Sequence, residues 1–115
     1  MLPVEKRLVA KKDFSKVQRA GRRFFAEFLQ LQFMENGEKK IRIGLVVGMK
    51  FSKKAVERNA LKRKLREIFR QEVKNIKEGT DIVVLAKNNP GAEKTSTQLK
   101  EIIRELLKKS NLLKN

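Results

Sequence analysis

Ile41-Arg42-Ile43-Gly44-Leu45-Val46-Val47, the stretch from Ala55 to Ile76, and Asp81-Ile82-Val83-Val84-Leu85-Ala86 together decide how this chain folds. The first and last are short, β-branched and largely apolar, as strands covered by other elements are. Between them Leu61, Leu65, Ile68, Phe69, Val73 and Ile76 recur at spacings of three and four, which draws one apolar stripe down a helix. Gly79 ends or follows that helix, and Asn88-Asn89-Pro90-Gly91 is a loop. The middle of the chain therefore reads as strand, amphipathic helix, strand.

Working outward, residues 24–34 alternate: Phe25, Leu29, Leu31 and Phe33 share one parity, and Phe24, Ala26, Phe28, Gln30, Gln32 and Met34 the other. This predicts one strand with both faces partly covered. Asn36-Gly37 suits a tight turn, so that strand and 41–47 are expected to pair as an antiparallel hairpin. Upstream, Asp13 is a candidate N-cap for a short helix over 13–20, with Phe14, Val17 and Ala20 on one side and Gly21 as its stop. Residues 1–12 read as an extended basic arm. Downstream, a helix is expected from about Lys94 to Lys109 with Leu99, Ile102, Ile103, Leu106 and Leu107 inward, then a frayed tail over 110–115. The expectation is one domain over residues 1–115, an α/β (α+β) sandwich in the order αββαβα around a small central mixed sheet.

The 115 residues include 29 Lys and Arg against 13 Asp and Glu, a formal charge of +16. An excess of that size points to a polyanion, because each cation placed on a phosphate releases condensed counterions. Residues 50–74 hold ten basic and three acidic side chains, whereas 24–49 hold three of each. Cys and His are both absent, which removes disulfides, thiolate metal sites and most protein-based catalytic constellations. No apolar run approaches the roughly 20 residues that span a bilayer, and the start lacks the apolar core of a signal peptide, so a cytoplasmic protein without a membrane role is expected. A metal nuclease would need converging carboxylates. Glu35 with Glu38, and Glu101 with Glu105, are the nearest pairs and have no accompanying ligands, so no metal site is assigned.

At about 100° per residue, Arg58, Lys62, Arg66 and Arg70 form a ridge beside the apolar stripe, widened by Asn59, Arg63 and Lys74. Lys50, Lys53 and Lys54 add charge just before the helix N-terminus, where free N–H groups and the dipole also favour phosphate. Glu57, Glu67 and Glu72 are too few to balance these cations, so a phosphate-binding platform is expected instead of a solvated helix face.

Ala55-Val56-Glu57-Arg58-Asn59-Ala60-Leu61-Lys62-Arg63-Lys64-Leu65-Arg66-Glu67 resembles the signature of the bacterial ribonuclease P protein family, an Arg-Asn-Arg element followed by a Lys-Arg pair and a further Arg-Glu. The resemblance extends to Arg7-Leu8, Asp13-Phe14, Gly21, residues 42–47 and residues 81–87 in the same order. Ala60 replaces the third residue of the Arg-Asn-Arg element, Gly48-Met49-Lys50 has fewer cations than the family's usual run there, and Gln18 stands where many members have a second aromatic.

The resemblance implies a protein subunit of an endoribonuclease ribonucleoprotein that removes the 5′ leader from precursor tRNA. Its partners would be the catalytic RNA and precursor tRNA, in a complex of one protein with one RNA. Catalytic groups and the required magnesium would belong to the RNA, with no cofactor on the protein alone. The signature helix and Lys50, Lys53, Lys54, Arg58, Asn59, Lys62, Arg63, Arg66 and Arg70 would face the catalytic RNA. A cleft between the first helix and the sheet would take the leader, with Phe14 first and Val17 and Arg42 after it. Lys6, Arg7, Lys11 and Lys12 would track phosphates. A left-handed crossover through the signature helix is also implied. A general RNA-binding protein of the ribosomal kind is the rival reading, and it would not require the ordered signature.

Overall fold

The computed structural model describes residues 7–8, 11–88 and 94–114. Its elements are α1 (Lys11–Ala20), β1 (Arg22–Ala26), β2 (Leu29–Glu35), β3 (Ile41–Val47), α2 (Ala55–Glu72) continued by a 3-10 turn at Val73–Asn75, β4 (Thr80–Ala86) and α3 (Ser96–Lys109). The four strands form one mixed sheet in the order β1-β2-β4-β3. β1 with β2 and β2 with β4 are antiparallel, whereas β3 and β4 run parallel and are joined through α2.

The expected single strand over 24–34 is two strands. Ala26 pairs with Leu29, so Glu27 and Phe28 form a two-residue turn, with Glu27 at a left-handed φ of 52°. A turn without Asn or Gly carries little local signal, yet it shifts the alternation by one residue. Phe24, Leu29, Leu31 and Phe33 consequently share one face, and Arg23, Phe25, Gln30, Gln32 and Met34 the other. Lys94 bridges to Glu27 at 3.3 Å and holds the tip of this hairpin against the start of α3.

The expected pairing of β2 with β3 does not occur, because β4 lies between them. The Asn36-Gly37 turn exists: the Asn36 side-chain oxygen accepts from the Glu38 N–H at 2.9 Å, and Gly37 takes a φ of 73°. The Asn36 N–H, however, donates to the Gly79 carbonyl and the Gly79 N–H to the Lys40 carbonyl, both at 2.9 Å. The loop therefore straddles the entry to β4. A local turn rule has no access to a strand that arrives some forty residues later.

Two cores flank the sheet. The larger lies beneath α2 and α3, where Leu61, Leu65, Ile68, Phe69, Leu99, Ile103 and Leu106 meet Leu29, Leu31, Ile43, Ile82 and Val84. Side chains of this size contribute about 1.5–3 kcal/mol each when fully buried. The smaller core joins Leu8, Val17 and Val83, with Phe14, Met34 and Val46 packed against it. Glu72 is buried at the α2–α3 contact, 3.2 Å from Arg104 and 3.9 Å from Lys100.

The described residues near each end, 7–8 with 11–12 and 110–114, are more structured than expected. Lys11 and Lys12 begin α1 instead of ending an extended arm, and Leu8 donates to the Ile43 carbonyl at 3.0 Å beside an Arg7–Ile43 bridge. Residues 1–6, and with them Lys6, lie outside the described residues. The tail is packed over 110–114: Asn111 turns the chain with a φ of 59°, and Leu112 enters the larger core. Lys77 donates to the Leu112 carbonyl and Lys114 to the Asn75 carbonyl, both at 2.7 Å. Thr95 and Gln98 form a reciprocal capping box that starts α3, two residues after the expected Lys94.

Candidate RNA interface

α2 packs its apolar stripe on β3 and α3, and the ridge beside that stripe keeps its cations at the surface. Asn59, Arg63 and Arg70 are exposed, and Arg58, Lys62 and Arg66 are half-buried. Arg58 donates to the Ser52 carbonyl at 2.9 Å, which joins the ridge to the loop carrying exposed Lys50, Lys53 and Lys54. Lys54 is the N-cap residue and no side chain caps the helix, although the Glu57 N–H donates to the Lys54 carbonyl at 3.1 Å. The Ser52 hydroxyl accepts from the Lys54 N–H at 3.1 Å and bonds the Glu57 carboxylate, so the loop enters α2 in a fixed shape.

Among the described residues, Arg58, Lys62, Arg63 and Arg66 have no acidic partner. Arg70 differs, because Glu67 accepts from its guanidinium at 2.6 Å. Arg70 thereby pulls the Glu67 carboxyl down to about 2, and its own pKa rises. Glu67 thus covers part of the charge of Arg70, a residue expected on the platform.

The opposite face of the sheet has a different chemistry. α1 lies over β2 and β4, and Phe14 rests its ring on Gly44, where a Cβ would stand 2.4 Å from the ring tip. Only a glycine lets the aromatic sit that close to β3. Phe14 is half-buried, and Val17 is 0% exposed, so Val17 offers no surface to a ligand and acts in packing. Arg42 is committed as well: it donates twice to Asp81 at 2.9 and 2.7 Å and once to Asp13 at 3.4 Å. The hydrogen bonds to Asp81 raise its pKa, and its reach to Asp13 anchors the first turn of α1 to β3 and β4. Arg42 is thus a brace for α1. Lys11 and Lys12 are exposed at the start of α1, as is Gln18 near its end.

Sequence reasoning missed the polar support at the other end of α1. The Gln32 amide donates to the carbonyls of Val17, Gln18 and Gly21 at 3.2, 3.1 and 3.3 Å, and the Gln30 amide donates to Gln32 at 3.2 Å. The Val17 carbonyl also accepts from the Gly21 N–H at 2.7 Å, and the Gln18 and Gly21 carbonyls lie at the helix end, where intrahelical donors run out. A glutamine at alternate positions of an otherwise apolar strand was the available signal.

Beside α1, Phe25, Gln30, Leu85 and Val46 stand opposite one another in register across all four strands. At the β3–β4 end this row opens into a groove of about 290 Å³ lined by Val46, Gly48, Met49, Lys50, Leu85 and Lys87. The cleft floor is apolar except for Gln30, α1 packs on the same face over β2 and β4, and Lys50 and Lys87 line the groove. Among the described residues no three acidic side chains converge as metal ligands, and no helix is long and apolar enough to cross a membrane.

A family model described as Ribonuclease P matches residues 2–111. The chain belongs to the bacterial ribonuclease P protein family. A ribonuclease P protein component from Pseudanabaena sp. (strain PCC 6903) is 39% identical over 107 residues, covering 90% of this chain and 92% of the relative. One from Thermotoga maritima is 37% identical over 108 residues, covering 94% and 89%. The fold is shared with the solved ribonuclease P protein of Staphylococcus aureus (TM-score 0.83, 25% identity, 95% and 98% covered) and with that of T. maritima (TM-score 0.78, 34% identity, 90% and 96% covered). Membership in this family makes the chain a ribonuclease P protein subunit, and the family name implies an assembly containing RNA.

Proposed function

We propose that this ribonuclease P protein binds the catalytic RNA through α2 and the loop before it, and takes the 5′ leader of precursor tRNA in the cleft beside α1. In doing so it promotes magnesium-dependent endonucleolytic cleavage at the mature tRNA 5′ end, in a cytoplasmic complex of one protein and one RNA. The observation that carries this reading is the division of the molecule into a face where Arg58, Lys62, Arg63 and Arg66 have no acidic partner among the described residues and an opposite face with a largely apolar, cation-rimmed cleft. The first suits phosphate, and the second suits unpaired bases. Magnesium belongs to the RNA in this reading: the described acidic groups form no ligand set, and no step is drawn through a metal on this chain. The work of the protein residues is to bind, orient and hold the leader in line with the RNA.

Reconstitution tests the proposal. The protein is mixed with a bacterial ribonuclease P RNA and labelled precursor tRNA at low magnesium, where the RNA alone is weak. Cleavage at the mature 5′ end that needs both components is expected. Tight, salt-sensitive RNA binding without stimulation of cleavage would move the chain to a general RNA-binding role.

A further inference from the structure

Phe25 lies on β1, the strand at the sheet edge farthest from β3, and is one of three large apolar side chains left exposed among the described residues, at 49%. Its register partner Gln30 and the next two residues of the row, Leu85 and Val46, carry the cleft floor across the sheet to the groove. Three strand spacings make that floor about 14 Å long. The Lys87 ammonium sits 4.7 Å from the centroid of the Phe25 ring, and Lys87 also lines the groove. A single cation thus belongs to both ends of the floor. It engages the ring by a cation–π contact and leaves much of the aromatic surface open to solvent.

The backbone beneath this ring is held firmly. Lys109 donates to the Phe25 carbonyl at 2.8 Å and ties β1 to the end of α3, and the neighbouring Gln30 side chain is oriented by its bond to Gln32. A rigid, half-exposed aromatic with an ammonium beside it matches one ligand chemistry well: a nucleotide whose base lies on the ring while its phosphate meets the lysine.

We propose that Phe25 and Lys87 form a stacking subsite for one unpaired leader base at the β1 end of the cleft, separate from Phe14 on α1. The inference rests on the leader-binding reading above and extends the bound segment across the full width of the sheet. Stacking tolerates any base identity, so the subsite registers the presence of a base at a fixed distance along the leader.

The test uses the reconstituted ribonucleoprotein and precursor tRNAs in which one abasic nucleotide is walked along the leader. The quantity read is affinity relative to mature tRNA. With the unaltered protein, one leader position is expected to lose roughly tenfold on becoming abasic through loss of contact with this ring. Phe25→Leu, which keeps apolar bulk, should show that loss with an intact leader and become insensitive to the abasic change at that position alone. Phe25→Tyr should behave as the unaltered protein, and assembly with the catalytic RNA should be unchanged in both. A Phe25→Leu profile matching that of the unaltered protein at every position, with Phe14→Ala still altering it, would overturn the subsite and leave the leader reading standing. If the unaltered protein failed to distinguish precursor from mature tRNA, the leader reading itself would fall, and the subsite with it.

Discussion

The α2 face and the α1 face of the sheet differ in how their polar groups are used. On α2, Arg58, Lys62, Arg63 and Arg66 lack acidic partners among the described residues, and charge stands ready for an outside anion. Under α1, the charged and amide groups face inward: Arg42 holds Asp81 and Asp13, and Gln32 holds the end of the helix. The contrast teaches that one face is suited to salt-sensitive affinity, while the other is a braced frame whose contribution comes from shape and stacking. In the proposed function these become affinity for the catalytic RNA and discrimination of precursor from mature tRNA.

The largest expected effect comes from breaking the brace. Arg42→Ala leaves Asp81, largely buried, facing Asn36 without its cation, and should lower stability by about 3 kcal/mol in denaturant unfolding. It should also erode leader discrimination in whatever fraction remains folded. Gly44→Ala is next: the new methyl group must displace the Phe14 ring, which should cost about 1–3 kcal/mol and reduce discrimination without altering salt dependence. A calorimetric melt with no change for Gly44→Ala would show that α1 is not seated through Phe14.

The double change Lys62→Ala with Arg66→Ala probes the other side of the comparison. The fold should hold, because both side chains reach the surface. The slope of log affinity for the catalytic RNA against log salt should flatten by roughly 0.7–0.9 per cation removed. The smallest effect is a gain: Glu67→Gln releases Arg70, and a titration at fixed salt should show RNA affinity rising a few-fold, about the worth of one exposed ion pair. The Glu67–Arg70 pair itself supports the fold above the ordinary glutamate pKa of 4.5. That support is lost as pH falls towards about 2, the value Arg70 imposes.

The parts of this molecule governed by local pattern were legible in its sequence. The spacing of Leu61, Leu65, Ile68 and Phe69 placed α2 and, by subtraction, its cationic ridge. The apolar run at 82–86 placed β4, and the absence of Cys and His narrowed the chemistry. Elements set by distant partners were harder to see. The turn at Glu27-Phe28 lacks turn residues, so two strands looked like one, and Phe25 and Leu29 were assigned to a common face. The insertion of β4 beside β2 is a long-range choice that the Asn36-Gly37 turn does not reveal. Val17 and Arg42 lie on the α1 side of the sheet, where burial of the first and the Asp81 and Asp13 contacts of the second make them supports. Phe25 and Lys87 meet only because β2 and β4 pair and thereby bring residues 62 positions apart together.

The division of labour between the two faces is tested most directly by a crossed comparison in the reconstituted ribonucleoprotein. Lys62→Ala with Arg66→Ala, and separately Phe14→Ala, are each measured for affinity to the catalytic RNA across a salt series and, at saturating RNA, for the precursor-to-mature tRNA affinity ratio. The account predicts that the α2 change weakens RNA affinity and flattens its salt slope while the ratio holds, and that Phe14→Ala lowers the ratio while the slope holds. Equal movement of both quantities by either change, with the protein still folded by its melting curve, would contradict it.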